Sequence, residues 1–170
     1  MADVKPASVF GSPLNIAHLL TNPPPPLDFV LPGLIAGSVG TLIGPGGVGK
    51  TMLELQVAVL MATRLAHCGP IMRTAAFEGL SPTPQKVVLV AAEEHINVLW
   101  HRVHAIVRSL DQRHVLPEDL SWPEFLQRLE QNLLLHPVAG ARRVNLLTPD
   151  LAPSEHAHAL AAVNQGTRLL

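Results

Sequence analysis

Cysteine, net charge and long apolar runs are all scarce in this sequence, and each shortage excludes a class of protein. The single cysteine, Cys68, leaves no disulfide framework and fits a reducing compartment. The formal net charge of −1 provides no broad basic face, which weakens a nucleic-acid role without excluding one. The longest apolar run, around residues 57–62, is too short to span a bilayer, and nothing at the N-terminus resembles a signal peptide. We therefore expect a soluble, cytoplasmic protein.

What the sequence does contain is an alternation of strand-like and helical patterns. A chain of 170 residues with 48% hydrophobic content is long enough for one domain with a core. Apolar runs predict strands at residues 39–43, 86–91 and 133–138, and helical patterns occupy residues 14–20, 52–66, 96–110, 121–131 and 154–164. This order predicts an α/β domain with a mainly parallel sheet flanked by helices.

A run of four prolines, residues 23–26, divides the chain. It must be extended, either as a spacer or as a ligand for an aromatic groove, and we favour the spacer because the domain starts directly after it. The prediction is a lead-in with one short helix, residues 1–26, followed by the α/β domain, residues 27–170. The apolar segment 27–34 is too dense for a free linker and should pack along the domain edge, with turns at Gly33 and Gly37.

The segment 44–51, Gly-Pro-Gly-Gly-Val-Gly-Lys-Thr, fits the phosphate-binding pattern G-x-x-x-x-G-K-[ST] at every fixed position. Its glycines allow consecutive backbone amides to point at a polyphosphate. Lys50 would reach the terminal phosphates, and the Thr51 hydroxyl would hold Mg²⁺. A Gly-rich turn before an ordinary helix is the alternative, but it leaves the preceding strand pattern unexplained. The predicted nucleotide-binding residues are Gly44, Pro45, Gly46, Gly47, Val48, Gly49, Lys50, Thr51 and Met52.

Two carboxylates, Glu93 and Glu94, directly follow the apolar run at residues 86–91. Ligands bind at the carboxyl ends of strands in open parallel sheets, so either carboxylate could orient or deprotonate a water facing a phosphate. Equally, both could cap the helix that follows, because acidic residues favour helix starts. The spacing does not decide between these roles.

Polar residues of the helix at residues 96–110 offer weaker signals. His101 and His104 are three residues apart and could touch one metal, but no third ligand of suitable spacing accompanies them, so a solvated helix face is favoured. Arg102 is either a solvent-exposed charge or a partner for Glu94 or a phosphate.

Four segments carry a family resemblance: residues 27–37, 44–52, 92–94 and 101–105. In that order they resemble the start of the hexameric replicative helicases of broad-host-range plasmids, which are RecA-like ATPases. The resemblance covers about residues 23–170 and implies a RecA-like P-loop core in a 5′-to-3′ DNA-unwinding ring, with ATP and Mg²⁺ between the subunits of a homo-hexamer. It also implies that Glu93 activates water, and it places Glu94 and Arg102 on the acidic and basic positions that follow.

The family pattern continues with an acidic Mg²⁺-binding strand, a sensor histidine, DNA-contacting loops and an arginine finger, and residues 1–170 match none of these. By that resemblance, residues 168–170 fall just short of the acidic strand. We therefore expect the N-terminal part of such a protein, binding nucleotide weakly, without unwinding, and contacting single-stranded DNA only once those elements are supplied.

Two other interpretations remain open. A P-loop kinase of small metabolites would share the strand, loop and helix, but the loop at residues 71–85 lacks the clustered arginines of a lid, so this ranks second among enzymes. A non-enzymatic interpretation is a fragment that binds nucleotide, or a longer homologue, without turnover.

Overall fold

The computed structural model describes residues 12–31, 33–63, 65, 83–114, 116–140, 144–163 and 166–167, and the structural statements below refer to these residues. Their helices and strands are α1 Ile16–Thr21, β1 Phe29–Leu31, β2 Leu34–Ile35, α2 Lys50–Thr63, β3 Val87–Ala91, α3 Ile96–Gln112, α4 Trp122–Asn132, β4 Leu133–Pro137 and α5 Glu155–Val163.

The strands β3 and β4 form a parallel pair, in register from Val87 opposite Leu133 to Ala91 opposite Pro137. Their connection runs through α3 and α4, as a parallel pair requires a long crossover. Both strands agree with the sequence prediction within a residue, and the parallel pairing confirms the α/β class. Because β3 ends at Ala91, the two glutamates that follow lie at the carboxyl end of this sheet.

The helix α2 is the centre of the hydrophobic core. Its residues Val57–Thr63 are all buried, as is Leu55, and it packs against β3, β4, α3 and α4. A helix that is apolar nearly all round must be covered on most sides, which explains this central position. Side chains of α4 bind its last carbonyl groups: Asn132 Nδ2 donates to Ala62 O at 3.1 Å, and Arg128 Nη1 donates to Thr63 O at 3.4 Å.

The amphipathic helix predicted for residues 96–110 is present as α3, and Leu99, Ile106 and Leu110 are buried as its spacing predicts. Two other apolar residues that follow the same spacing are not buried: Trp100 is 72% exposed and Ile96 is 55% exposed. They lie in the first turns of α3, where only the face carrying Leu99 packs against the core. The helical spacing therefore predicts α3 correctly, but the buried face of this helix is narrower than its apolar face.

Ser121 is the N-cap of α4, and its hydroxyl accepts a hydrogen bond from Glu124 N. The Glu124 carboxylate does not complete a reciprocal capping box; it pairs with Arg128 Nη2 at 2.6 Å. Phe125 is fully buried and stacks on Trp122, with ring centroids 4.9 Å apart. This aromatic pair holds α4 against the core.

The strand predicted at residues 39–43 is wrong, because the segment has no regular secondary structure. Val39 is 94% exposed and Ile43 is 86% exposed, so neither lies in a core. A strand is stabilised by the ladder it forms with a neighbour, and within the described residues both sheets have two strands that pair with each other. Among the strands that the structure describes, the apolar pattern therefore has no partner that would make it a strand.

The lead-in carries the expected short helix, but α1 begins at Ile16 and its cap is Asn15, whose side chain accepts from His18 N. The helical pattern at residues 14–20 predicts this helix, but it places the start two residues too early. The segment 27–34 packs on the domain as predicted: β1 and β2 form an antiparallel pair and Val30 is buried. At the other end of the chain α5 matches its prediction, and Gly166 has the positive φ expected after a helix.

Among the residues that the structure describes, no helix is both long and apolar enough to cross a membrane. Several sequence features lie outside the described residues, namely the end of the helix predicted at residues 52–66, most of the loop at residues 71–85, and residues 168–170, which the family resemblance places just short of the acidic strand.

Candidate functional site

The phosphate-binding pattern forms a loop that leads directly into α2. Two of its glycines, Gly47 with φ +78° and Gly49 with φ +92°, adopt a backbone conformation that L side chains rarely take. Gly44 is needed for close approach instead, because a Cβ there would meet Val48 Cγ2 at 3.2 Å. Three of the four predicted glycines are therefore constrained by the geometry of the loop, whereas a Cβ at Gly46 would meet no atom within 4 Å.

The Lys50 side chain turns back over this loop. Its ammonium group donates hydrogen bonds to Gly44 O at 2.8 Å and to Pro45 O at 2.9 Å. The positive charge is thus held at the loop that is expected to bind phosphate, and it does not enter the core. An anionic oxygen could take the place of these carbonyl groups, since an ammonium group has three donors that rotate freely about its stem.

The first turn of α2 adds a second source of positive potential. The helix begins at Lys50, and Leu53 N donates to Gly49 O at 2.9 Å, which is the first backbone bond of the turn. The amide groups before Leu53 lack helical partners, and the helix dipole concentrates positive potential at this end. Thr51 and Met52 lie in this turn, half-buried. The loop and helix together form an anion-binding arrangement.

Beside the loop is a cleft of about 270 Å³ that lies between α2 and the carboxyl end of β3. It brings together four of the predicted site residues, Lys50, Thr51, Glu93 and Glu94, which are far apart in the sequence. Its lining residues are Lys50, Thr51, Glu54 and Leu89, Val90, Ala91, Ala92, Glu93 and Glu94. Arg102 is not part of this lining and contacts the cleft only through Glu94.

The two glutamates differ in their surroundings. Glu93 is exposed, whereas Glu94 is half-buried and forms an ion pair through its Oε1 with Arg102 Nη1. The sequence left solvent, Glu94 or a phosphate open for Arg102, and in the structure its partner is Glu94. The Oε2 atom of Glu94 is shielded from solvent and has no hydrogen-bond donor among the described residues. An unsatisfied buried acceptor costs about 1–3 kcal/mol, and more when it is charged.

Neither glutamate caps the helix that follows. The cap of α3 is His95, whose Nδ1 accepts a hydrogen bond from Asn97 N at 3.4 Å, and the first turn of α3 contains no acidic residue. The geometry therefore does not support the capping role considered for Glu93 and Glu94. Both carboxylates are available to the cleft.

Sequence analysis missed Glu54, which lines the cleft from α2, one turn after Lys50. The signal was present, because residues four apart on a helix lie on one face and Glu54 follows Lys50 by four. The metal pair considered on α3 gains no support: His101 and His104 are exposed, and no group of three metal-ligating side chains occurs in the described part of the chain.

The residues of the cleft fit a magnesium ion that arrives with a nucleotide. Hydroxyl and carboxylate oxygens, here those of Thr51, Glu93 and Glu94, are the hard donors that Mg²⁺ prefers, and the ion usually keeps several waters. The shielded Glu94 Oε2, which lacks a donor, is a ready acceptor for such a water.

Comparison with known protein families gives a match over nearly the whole chain. Residues 6–167 match the sequence model of a family described as an AAA domain. The matched range includes the phosphate-binding loop, the end of β3 and Arg102, so every residue of the candidate site lies inside it.

Proposed function

The chain belongs to the AAA domain family of ATPases, and from this premise we propose that it binds ATP as its magnesium complex in the cleft between α2 and β3. The single observation that carries the proposal is the position of the Lys50 ammonium group, held on the carbonyl groups of Gly44 and Pro45 beside the open end of α2. A cation, partnerless amide groups and a helix N-terminus converge there, which is the chemistry that a triphosphate requires.

We propose the following roles for the residues of this site. Lys50 and the loop amides bind the phosphates, and the Thr51 hydroxyl contacts Mg²⁺, which when bound neutralises charge on the phosphate oxygens. Glu93 is exposed at the end of β3 and can accept a proton from a water that attacks the terminal phosphate. Glu94 is less suited to accept that proton, because its Oε1 is paired with Arg102.

The finer proposal is that this ATPase unit belongs to a plasmid-type replicative DNA helicase with a RecA-like core. It is supported by the order of the four segments that resemble that family and by the meeting of two of them, the loop and the end of β3, at one cleft. A homo-hexamer, contact with single-stranded DNA and a cytoplasmic location are further parts of the same proposal. So is a boundary between lead-in and domain near residue 26, which fits the absence of buried residues in α1.

The nucleotide site is tested by thermal unfolding with Mg·ATP. Ligand at a hundred times its dissociation constant stabilises the folded state by about 2.7 kcal/mol, and each kcal/mol raises the Tm of a domain of this size by about 2–4 °C. Lys50→Ala should abolish this shift of roughly 5–11 °C. The matched control is Lys86→Ala, which removes an exposed lysine outside the cleft. Equal protection of the wild type and Lys50→Ala would overturn the proposal.

The helicase assignment has a separate test. If ATP binds between subunits of a ring, saturating Mg·ATP should raise the oligomeric state of the chain measured by sedimentation velocity. The Lys50→Ala variant should not respond. A wild-type chain that binds Mg·ATP and remains a monomer would contradict the helicase assignment while leaving the nucleotide site intact.

A further inference from the structure

The carboxylate of Glu94 has two oxygens in different situations. Oε1 pairs with Arg102 Nη1, and Oε2 is shielded from solvent without a protein donor among the described residues. The side chain as a whole is 16% exposed and lines the cleft next to Lys50 and Thr51. A buried oxygen of this kind in a folded protein calls for an explanation, and a site that receives a ligand is one.

The chemistry of the cleft restricts what could donate to Glu94 Oε2. Lys50 donates to the carbonyl groups of Gly44 and Pro45, and it forms no hydrogen bond with Glu94 Oε2. The phosphate oxygens of a nucleotide are largely deprotonated near neutral pH, and their negative charge would repel a carboxylate. A water in the hydration shell of Mg²⁺ carries protons and can face a carboxylate and a phosphate at once.

We propose that Glu94 is a specificity determinant for the magnesium complex of the nucleotide, accepting a hydrogen bond from a metal-bound water through Oε2. Arg102 is then a positioning residue that acts through Glu94. This inference rests on the proposed nucleotide site and adds to it a reason for the site to discriminate between Mg·ATP and metal-free ATP.

The position of Arg102 suits this role. It lies in the second turn of α3, so its ion pair fixes the end of β3 to the helix that follows. Because the guanidinium group binds Oε1, it leaves Oε2 for another donor while it partly neutralises the carboxylate. Without Arg102, the Glu94 side chain would lose the contact that orients its Oε2 toward a metal-bound water.

The test is equilibrium binding of a non-hydrolysable, fluorescent ATP analogue, measured with Mg²⁺ and with EDTA in place of Mg²⁺. The measured quantity is the ratio of the two affinities. Glu94→Gln should lower this ratio by about tenfold or more, as substitutions of residues that bind a metal's outer ligands do, through weaker binding of the magnesium complex alone. Arg102→Ala should lower the ratio in the same way, Arg102→Lys should restore part of it, and the double variant should be no worse than Glu94→Gln.

Matched controls separate this role from a structural one. Arg108→Ala and Glu118→Gln each remove an exposed charge outside the cleft and should leave the ratio unchanged. The proposal is overturned if Glu94→Gln weakens binding with and without Mg²⁺ equally, or if Arg102→Ala leaves the ratio at the wild-type value. A wild-type chain that binds neither form of the analogue, or a Lys50→Ala variant that binds both as tightly as wild type, would overturn the nucleotide site itself, and with it this inference.

Discussion

Replacing Gly49 by alanine tests whether the phosphate-binding loop keeps its shape without a ligand. Gly49 has φ +92°, and a Cβ built on it meets no atom within 4 Å, so the cost of the substitution is backbone strain and not a clash. Strain of this kind costs about 1–3 kcal/mol. A central value of about 2 kcal/mol lowers the Tm of a domain of this size by about 4–8 °C.

The matched control is Gly46→Ala in the same loop. A Cβ at Gly46 also meets nothing within 4 Å, but its φ lies outside the range that L side chains avoid. The unfolding free energy of the Gly46→Ala variant should therefore stay within about 0.5 kcal/mol of the wild-type value. The measurement is thermal unfolding followed by circular dichroism without nucleotide. If Gly49→Ala and Gly46→Ala unfold at the same temperature, the loop does not hold this conformation and the geometric case for a preformed phosphate site fails.

Two further predictions address catalysis and the core. Glu93→Gln should leave nucleotide binding unchanged and lower any ATP hydrolysis by about 10²–10⁴-fold, the range for loss of a general base; unchanged turnover would remove Glu93 from that role. Phe125→Ala should reduce the free energy of unfolding in urea by about 3–5 kcal/mol because Phe125 is fully buried against Trp122. Leu126→Ala, at a position that is 42% exposed, is the control, and equal losses for both variants would contradict the packing of α4.

The elements that could be predicted from the sequence are those determined by local patterns. The helix α3 follows from its three- and four-residue spacing, and α4 from the capping Ser121, because a helix satisfies its hydrogen bonds within its own segment. Strands depend on distant partners. The apolar runs of β3 and β4 find each other across the core, whereas residues 39–43 have the same kind of pattern and no partner among the described strands. Composition alone could not separate these cases.

In the candidate site, too, features set by local spacing could be predicted, and contacts between distant segments could not. The loop and Lys50 could be recognised because their spacing is fixed within one segment. The partner of Arg102 could not be chosen, since a side chain on the second turn of a helix can face solvent, a ligand or the preceding strand. The ion pair with Glu94 depends on the angle at which α3 leaves β3. The spacing of four places Glu54 on the same helix face as Lys50, but that this face lines a cleft depends on how α2 packs beside β3.

The geometry between Lys50 and Glu93 is set by the packing of α2 and not by the segment that precedes the loop. Residues 39–43 form no ladder with any strand in the described part of the chain, whereas α2 is buried against β3 and its last carbonyl groups are bound by Asn132 and Arg128. The hydrogen bonds from Lys50 to the carbonyl groups of Gly44 and Pro45 therefore connect the start of the loop to α2, which is held in place by its packing. A phosphate that accepts the hydrogen bonds of the Lys50 ammonium group replaces its bonds to Gly44 O and Pro45 O. Hydrogen bonds from the loop amides to the phosphate must then compensate for the lost contacts. Substitutions that loosen α2 against β3 should thus weaken nucleotide binding without touching any residue of the cleft.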